Sequence, residues 1–343
     1  MKILALSPFP PNTVSGNVAT LKRLQEGLRD RGHDMEILDV SGPAAAERVS
    51  AALGSVRPDV VHLYHAYKAG RFAALLERRP TVLTVSGTDL NDYVADPERA
   101  RVIGEALRRV PVLLTYNSSL AERVTRFFPD AAGRLRVIPK GVRLGNDPFD
   151  LRGAAEIPQG SFLFVQAGGI RPVKDNLAAL DGLAPLKSHA ALVFAGPILD
   201  ADYGRTFAAR LAAEPWARHV PFVPPSAMAA VYRQADAVLN TSRSEGLSNA
   251  LIEAMACGRP VLAADIPGNR DLIRPEVTGL LYSGPEDLRR QARRLVEDAD
   301  LRRRLGAAAQ EFARREFSTE REVGALLSAY EAARSLNSEA EGP

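Results

Sequence analysis

The sequence predicts an α/β protein made of two doubly wound, Rossmann-like domains with parallel sheets. Three observations carry this. Twelve short apolar runs, most of them four to seven residues long and rich in Val, Ile and Leu, recur along the 343-residue chain. Continuous apolar runs of that length suit strands buried on both faces of a parallel sheet. Between them lie longer segments with apolar residues at helical spacing, and strand–helix alternation implies βαβ units. The alternation fails once, over residues 139–160 (PKGVRLGNDPFDLRGAAEIPQG). Four glycines and three prolines stand there without periodicity and read as an interdomain linker. At about 150 residues per domain, the length agrees with two.

In the first half the expected strands are residues 2–6, 36–40, 59–63, 81–85, 111–115 and 135–138. Asn17–Arg31 and Pro97–Arg109 carry the helical spacing. In the second half the strands are 161–167, 190–195, 219–223, 236–240, 260–264 and 279–282, and Pro285–Asp298 is a helix. Phe317-Ser318-Thr319-Glu320 starts a last helix, with Ser318 as its N-cap. The polar tail after Ser335 is expected to be disordered. The domains read as 1–145 and 155–316, followed by the helix 317–335. No internal repeat stands out. Ligands of open α/β sheets sit beyond the carboxyl ends of the strands. Two such domains facing one another make a cleft, so the residues that follow strands matter most.

Composition excludes several classes. Hydrophobic residues are 46% and charged residues 25%, as in ordinary folded proteins. The net charge is +3, with no basic stripe, so a nucleic-acid partner is not expected. Residues 1–150 hold 21 basic and 17 acidic residues, a net +4 that suits weak attraction of an anionic ligand or a peripheral membrane contact. The single Cys257 excludes an intramolecular disulfide and a cysteine zinc site, and fits a reducing compartment. Five scattered His without HExxH give no metal spacing. The apolar run Ile3–Leu6 is too short for a signal-peptide core, and no stretch approaches 18 apolar residues. A soluble, cytoplasmic protein is the expectation.

The strongest chemical signal is SRSEGLSNALIE at 242–253, with Glu245 and Glu253 separated by seven residues. Asn240-Thr241 ends a strand, and Ser248 or Asn249 can cap the following helix. The N–H groups of Gly246, Leu247 and Ser248, with the helix dipole, would make an anion site suited to a diphosphate. A carboxylate within the helix could accept from ribose hydroxyls, and one in the loop could orient a sugar. The bland alternative is a solvated helix start with an incidental pair of glutamates. The second signal is GGIRPVKD at 168–175. Gly168 and Gly169 end a strand, Pro172 fits the first position of a helix, and Arg171 and Lys174 flank it. Cations are unfavourable at a helix start unless an anion is bound there, which argues for a function. They would neutralise a leaving diphosphate.

Weaker signals lie in the first half. SPFPPNTVSGNVAT leads from a strand into a helix near Asn17, and Gly16 and Asn17 could line the cleft. GxGxxG is absent, which disfavours a dehydrogenase. HLYHAYKAGR offers His65, Tyr67 and Lys68 after one strand, and VSGTDLND offers Ser86, Thr88 and Asp89 after another. His65 and Asp89 are the catalytic candidates of this half, although a lone His is often only hydrogen-bonded in place. Asp200-x-Asp202 and Asp298-x-Asp300 match a metal–nucleotide pattern but read as solvated helix starts or surface turns. The Arg clusters at 289–294 and 302–304 read as exposed helix faces, and Cys257 as a buried small side chain.

SEGLSNALIEAMACGRPVLAADIPGNRDLI closely resembles the donor half of retaining glycosyltransferases of family 4, glycosyltransferase group 1, which have the GT-B fold. The matching features are Glu245, Glu253, the strand PVLAA and the Gly268 turn. The resemblance runs from GGIRPVKD to the last helix and covers nearly all of 160–335. The usual pattern sets Arg and Lys further apart than Arg171 and Lys174 stand here. The short form is similar to the glycosyltransferase 1 domain-containing subgroup, as are Gly16–Thr20, His65-x-Tyr67 and Gly87–Asn91. The first-half motifs also resemble those of selenosugar synthases, which join a nucleotide sugar to a selenium nucleophile.

The resemblance implies transfer of a hexosyl group from a nucleotide sugar, UDP-linked by preference, with retention. The donor is a substrate, and no cofactor or metal is implied. Arg171 and Lys174 would bind its diphosphate and Glu253 its ribose. Glu245 with Gly246–Ser248, beside Gly169, would hold sugar and phosphates. The turn at Phe222–Pro225, Val223 included, would meet the base, and Gly16 with Asn17 would approach the phosphate. The first domain would be the acceptor side, 155–316 the donor domain, and the last helix would return to the first domain. The acceptor is left open among small molecules, glycans and lipid-linked sugars. Two other readings stand beside this one: a GT-B nucleotide-sugar 2-epimerase, and a two-domain binding protein without chemistry, in which the Glu pair would have no purpose.

Overall fold

The computed structural model describes residues 1–13, 15–87, 89–90 and 94–341. Each of the twelve apolar runs folds as a parallel strand. Six form one sheet: β1 (Lys2–Ser7), β2 (Asp34–Asp39), β3 (Val60–Tyr64), β4 (Thr81–Thr84), β5 (Val112–Thr115) and β6 (Leu135–Val137), in the order β2-β1-β3-β4-β5-β6. The other six are β7 (Phe162–Ala167), β8 (Ala190–Ala195), β9 (Ala217–Val220), β10 (Ala237–Asn240), β11 (Val261–Ala264) and β12 (Leu280–Tyr282), in the order β12-β11-β10-β7-β8-β9. The chain divides into two units, one of Met1–Gly141 with the residues from Ser318 on, the other of Val142–Phe317.

Alternation of side chains across each sheet decides the packing. In the first unit, Leu4, Leu6, Val61, Leu63, Leu83 and Leu113 share one core with Ile103, Ala106 and Leu107 of the helix Pro97–Arg109. Ile3, Ala5, Val60, Val82 and Val112 face the other way. They pack on Leu21, Leu24 and Leu28 of the helix Gly16–Arg29 and on Val323, Leu326 and Tyr330 of the last helix, Thr319–Glu341. The second unit repeats this. Leu163, Val165, Val193, Val238 and Val261 lie against Leu251, Ile252 and Met255, and Phe164, Leu192, Phe194, Leu239 and Leu262 lie against Leu180, Leu183, Phe207 and Leu288.

The last helix is fixed to the first unit by more than apolar contact. Arg23 donates to both Glu322 carboxylate oxygens, at 3.0 and 2.9 Å, and Glu322 is fully buried. His62 on β3 lies 2.9 Å from the Tyr330 hydroxyl and 2.7 Å from that of Thr84. Burial pushes His62 down to about 3, so it is neutral at physiological pH.

Two elements differ from expectation. The strand expected at 219–223 is Ala217–Val220, because Pro221, Pro224 and Pro225 cannot donate to a ladder. The tail after Ser335, expected to be disordered, continues the last helix to Glu341. Leu336, Glu339, Ala340 and Glu341 are good helix formers, and neither Gly nor Pro interrupts them. Among the described residues, no helix is long and apolar enough to cross a membrane.

Sheet order locates the ligand positions. A doubly wound sheet opens a crevice where successive crossovers leave in opposite directions. In the second unit that point lies between β7 and β10, and in the first between β1 and β3.

Candidate functional site

The loops that follow β7 and β10 are the two segments with the strongest sequence signals, and sheet pairing of Val165 with Val238 makes them neighbours. A buried polar set ties them together. Gln166, near the end of β7, donates from Nε2 to the Thr241 hydroxyl (2.9 Å) and the Lys174 carbonyl (3.1 Å). The Thr241 hydroxyl lies 2.9 Å from the carbonyls of both Lys174 and Asp175. The Arg243 N–H donates to the Val173 carbonyl (2.9 Å), and its guanidinium pairs with Asp175 (2.8 Å). Pro172–Lys174 forms a single 3₁₀ turn there rather than the start of a longer helix. Asp175 is left-handed at φ 45°, and the helix begins after it at Asn176.

Within this frame the Lys174 ammonium donates to Glu245 Oε1 at 2.6 Å, and their side chains are 16% and 12% exposed. The same oxygen accepts from the Ser242 hydroxyl (2.7 Å) and from Asn240 Nδ2 (3.1 Å). Burial alone would raise the Glu245 carboxyl. The Lys174 charge and hydrogen bonds from Lys174, Ser242 and Asn240 outweigh it, and the pKa falls below the ordinary value. Glu245 is therefore ionised at neutral pH. Arg171, one turn away, is exposed, and its guanidinium has no partner among the described residues. One cation is thus engaged and the other open.

The remaining second-unit candidates lie around this pair. Ser248 caps the helix Asn249–Ala256, but its hydroxyl makes no cap bond and sits 3.4 Å from Asn240 Nδ2. Gly246 and Leu247 are half-buried, and Leu247 packs on the core. Glu253, in the second turn of this helix, accepts from the buried Tyr232 hydroxyl at 3.0 Å. Gly169 lies under the Leu199 side chain, where no Cβ fits. Val223 is half-buried beyond β9, and its neighbour Phe222 is 64% exposed.

In the first unit, Gly16 and Asn17 open the helix that follows β1, behind the N-cap Ser15, whose hydroxyl accepts from the Val18 N–H. The carboxylate of Asp89 accepts from the N–H groups of Ala66 (3.0 Å), Tyr67 (3.4 Å) and Ser86 (2.6 Å) and contacts the His65 ring. Asp89 is 0% exposed and His65 1%. His65 holds a positive φ of 107°, a strained backbone for a non-glycine residue. The two candidates clamp the loops after β3 and β4 together and present no open face. Thr88 and Asn91 lie outside the described residues. Asp200 and Asp298 are N-caps whose carboxylates accept from Tyr203 and Leu301, which accounts for both as helix starts.

Sequence reasoning gives no role to Gln166 or Tyr232, nor to Asn240, Thr241 and Ser242, although these three border the 242–253 motif. Their signal was polarity inside or at the end of an otherwise apolar run, and only the fold shows which partners they meet.

Residues 149–312 match the family described as glycosyl transferases group 1, and residues 38–141 match the glycosyl transferase 4-like domain. The chain is 29% identical over 332 residues to glycosyltransferase 1 domain-containing protein 1 of Xenopus tropicalis, covering 94% of this chain and 95% of that one. It is 30% identical over 307 residues to a D-inositol 3-phosphate glycosyltransferase of Actinosynnema mirum, covering 81% and 73%. Anabaena Alr3699/HepE, solved in complex with UDP-glucose, superposes with a TM-score of 0.76 at 21% identity over 96% of this chain and 100% of that one. The protein belongs to the glycosyltransferase group 1 family and is a transferase of GT-B fold.

Proposed function

We propose that the second unit binds a nucleotide sugar, UDP-linked, and that the protein transfers its hexosyl group with retention and without a metal ion. The observation that carries this is the ionised Lys174–Glu245 pair, seated between the carboxyl ends of β7 and β10 with the open Arg171 beside it. Developing charge on the leaving diphosphate would be met by Arg171, by a Lys174 donor not used on Glu245, and by the helix N-terminus at Ser248–Asn249. Glu253 would take the ribose hydroxyls, and Glu245 would orient a sugar hydroxyl. Phe222 and Val223 would cover the base. No protein nucleophile is assigned, so displacement occurs on the face the leaving group departs from. The HepE complex with UDP-glucose supports the choice of donor.

For the acceptor, the first unit offers a cation at its own crevice. The Lys68 ammonium, from the loop after β3, sits 3.9 Å from the centre of the Phe9 ring, from the loop after β1. A half-buried cation there suits an acceptor with an anionic group, as does the name of the D-inositol 3-phosphate relatives. The buried, solitary Cys257 suits a reducing, cytoplasmic setting.

The test is UDP release from UDP-glucose, with water or a phosphorylated polyol as acceptor, in the presence of excess EDTA. Turnover that survives chelation, with the anomeric configuration of the product retained, supports the reading. Loss of turnover on chelation removes the metal-free mechanism. Recovery of epimerised sugar without acceptor would identify an epimerase instead.

A further inference from the structure

The seat of Glu245 is completed from a third strand end. Pro267–Arg270, a single helical turn after β11, packs tightly on the Glu245–Gly246 backbone. A Cβ on Gly268 would lie 2.5 Å from the Glu245 carbonyl oxygen and 2.7 Å from that of Gly246. The next residue, Asn269, is fully buried. Its Nδ2 donates to the Ala264 carbonyl (2.9 Å) and to Asn240 Oδ1 (3.3 Å). Asn240 Oδ1 accepts also from the Ser242 N–H (3.1 Å). With its oxygen held by two donors, the Asn240 amide must turn its Nδ2 toward Glu245 Oε1 and Ser248 Oγ.

This arrangement carries a cost. Asn269 Oδ1 is buried without a hydrogen-bond partner among the described residues, and an orphaned polar atom is destabilising. A leucine of nearly the same shape would fill the space without that orphaned oxygen, but would take the Nδ2 donor from the Ala264 carbonyl and Asn240 Oδ1. The amide is therefore present for what its Nδ2 does.

We propose that Asn269 is a positioning residue of the donor site: it sets the orientation of the Asn240 amide, which in turn holds Glu245 against Lys174. The proposal rests on the functional reading of the Lys174–Glu245 pair given above. Lys174 is the charged group that faces Glu245 from the turn after β7. On Glu245's own loop, Arg243 is occupied by Asp175, and on the following helix Glu253 is bonded to Tyr232.

Asn269→Leu keeps the volume and removes the relay. The Glu245 titration can be followed directly by NMR of 13C-labelled glutamate carboxyls in the full chain. In the variant, Glu245 should titrate about half a pH unit higher or more, since a hydrogen bond to its charged form is weakened. The melting temperature should stay close to that of the wild type. With UDP-glucose, the acid limb of kcat/KM should move up with the titration, and kcat should fall about tenfold as Glu245 loses alignment. If Asn269→Leu does not fold, Asn269→Ala is read in the same way. Asn269→Ser, which keeps a donor, should stay nearer to the wild type. An unmoved Glu245 titration in the leucine or alanine variant overturns the proposal. A moved titration in a protein that turns over no nucleotide sugar would leave the relay standing and remove the functional reading instead.

Discussion

At the carboxyl ends of β7 and β10 charged side chains meet one another, whereas at the carboxyl ends of β3 and β4 they meet backbone. Both places are carboxyl ends of neighbouring parallel strands, but β7 and β10 flank the crevice of their sheet, whereas of β3 and β4 only β3 borders its own. Both carry an acidic residue in the loop after a strand. Glu245 reaches across to a cation on the neighbouring loop and stays at the surface of its unit. Asp89 turns inward and is used up by three N–H groups and the His65 ring. The difference lies in what each carboxylate can give up. One paired with a flexible ammonium can share that partner with a ligand's charge. One that closes two loops by their backbone cannot let go without opening them. A polar residue after a strand marks a place, and its partners decide whether it serves a ligand or the fold.

The comparison makes predictions that rank by size. Lys174→Ala removes the cation paired with Glu245 in the second-unit crevice and leaves Arg171. It should lower turnover of UDP-glucose by about 100- to 1,000-fold, the usual loss for one charge-stabilising group. Its thermal melt should stay close to that of the wild type, because the side chain is near the surface. Kinetics unchanged by this substitution would break the contrast at its functional end.

Asp89→Ala should do the reverse. The Ala66 and Ser86 N–H groups lose their acceptor, while the Tyr67 N–H keeps His65 Nδ1 at 3.2 Å, and orphaned buried donors cost about 1–3 kcal/mol each when not rescued by water. A loss of about 3 kcal/mol in denaturant unfolding of the first unit is expected, with UDP binding to the second unit preserved. A stable Asp89→Ala variant with lost turnover would support the catalytic role that the sequence suggests for Asp89.

The smallest effect concerns His62, buried and neutral under the last helix. Its folded pKa is lowered from 6.5 to about 3, so the unfolded chain takes up the proton first. Stability from this group is complete above pH 6.5 and declines as pH falls toward 3. At pH 5 the loss is about 2 kcal/mol by proton linkage. Denaturant unfolding at pH 7 and pH 5 should show it in the wild type and not in His62→Gln. The lowered Glu245 carboxyl acts in the same direction but only at more acid pH, near and below 4.5.

The two regions also differ in how far they were legible. GGIRPVKD and SRSEGLSNALIE were both visible as loops after strands, and their residue types pointed to a diphosphate and a sugar. That Lys174 bonds Glu245, 71 residues away, was not visible, because it depends on β10 pairing beside β7 rather than beside β9. In the first half, His65 and Asp89 were visible as polar strand ends, but their burial was not. It follows from the positive φ at His65 and from backbone N–H groups that turn toward the carboxylate only in the folded loops.

Sequence alone determined the class of fold and the place of the strands other than β9, because apolar runs and helical spacing are local properties that burial in a parallel sheet enforces on any such chain. Even the displaced β9 had its reason in the sequence, in the prolines that end it. Tertiary structure alone decided which loops became neighbours, which carboxylate met a cation and which was sealed under backbone, and that Asn269 stands behind Glu245. Those outcomes depend on strand order and on the competition between burial and hydrogen bonding for each polar group. Neither is written in the spacing of residues along the chain.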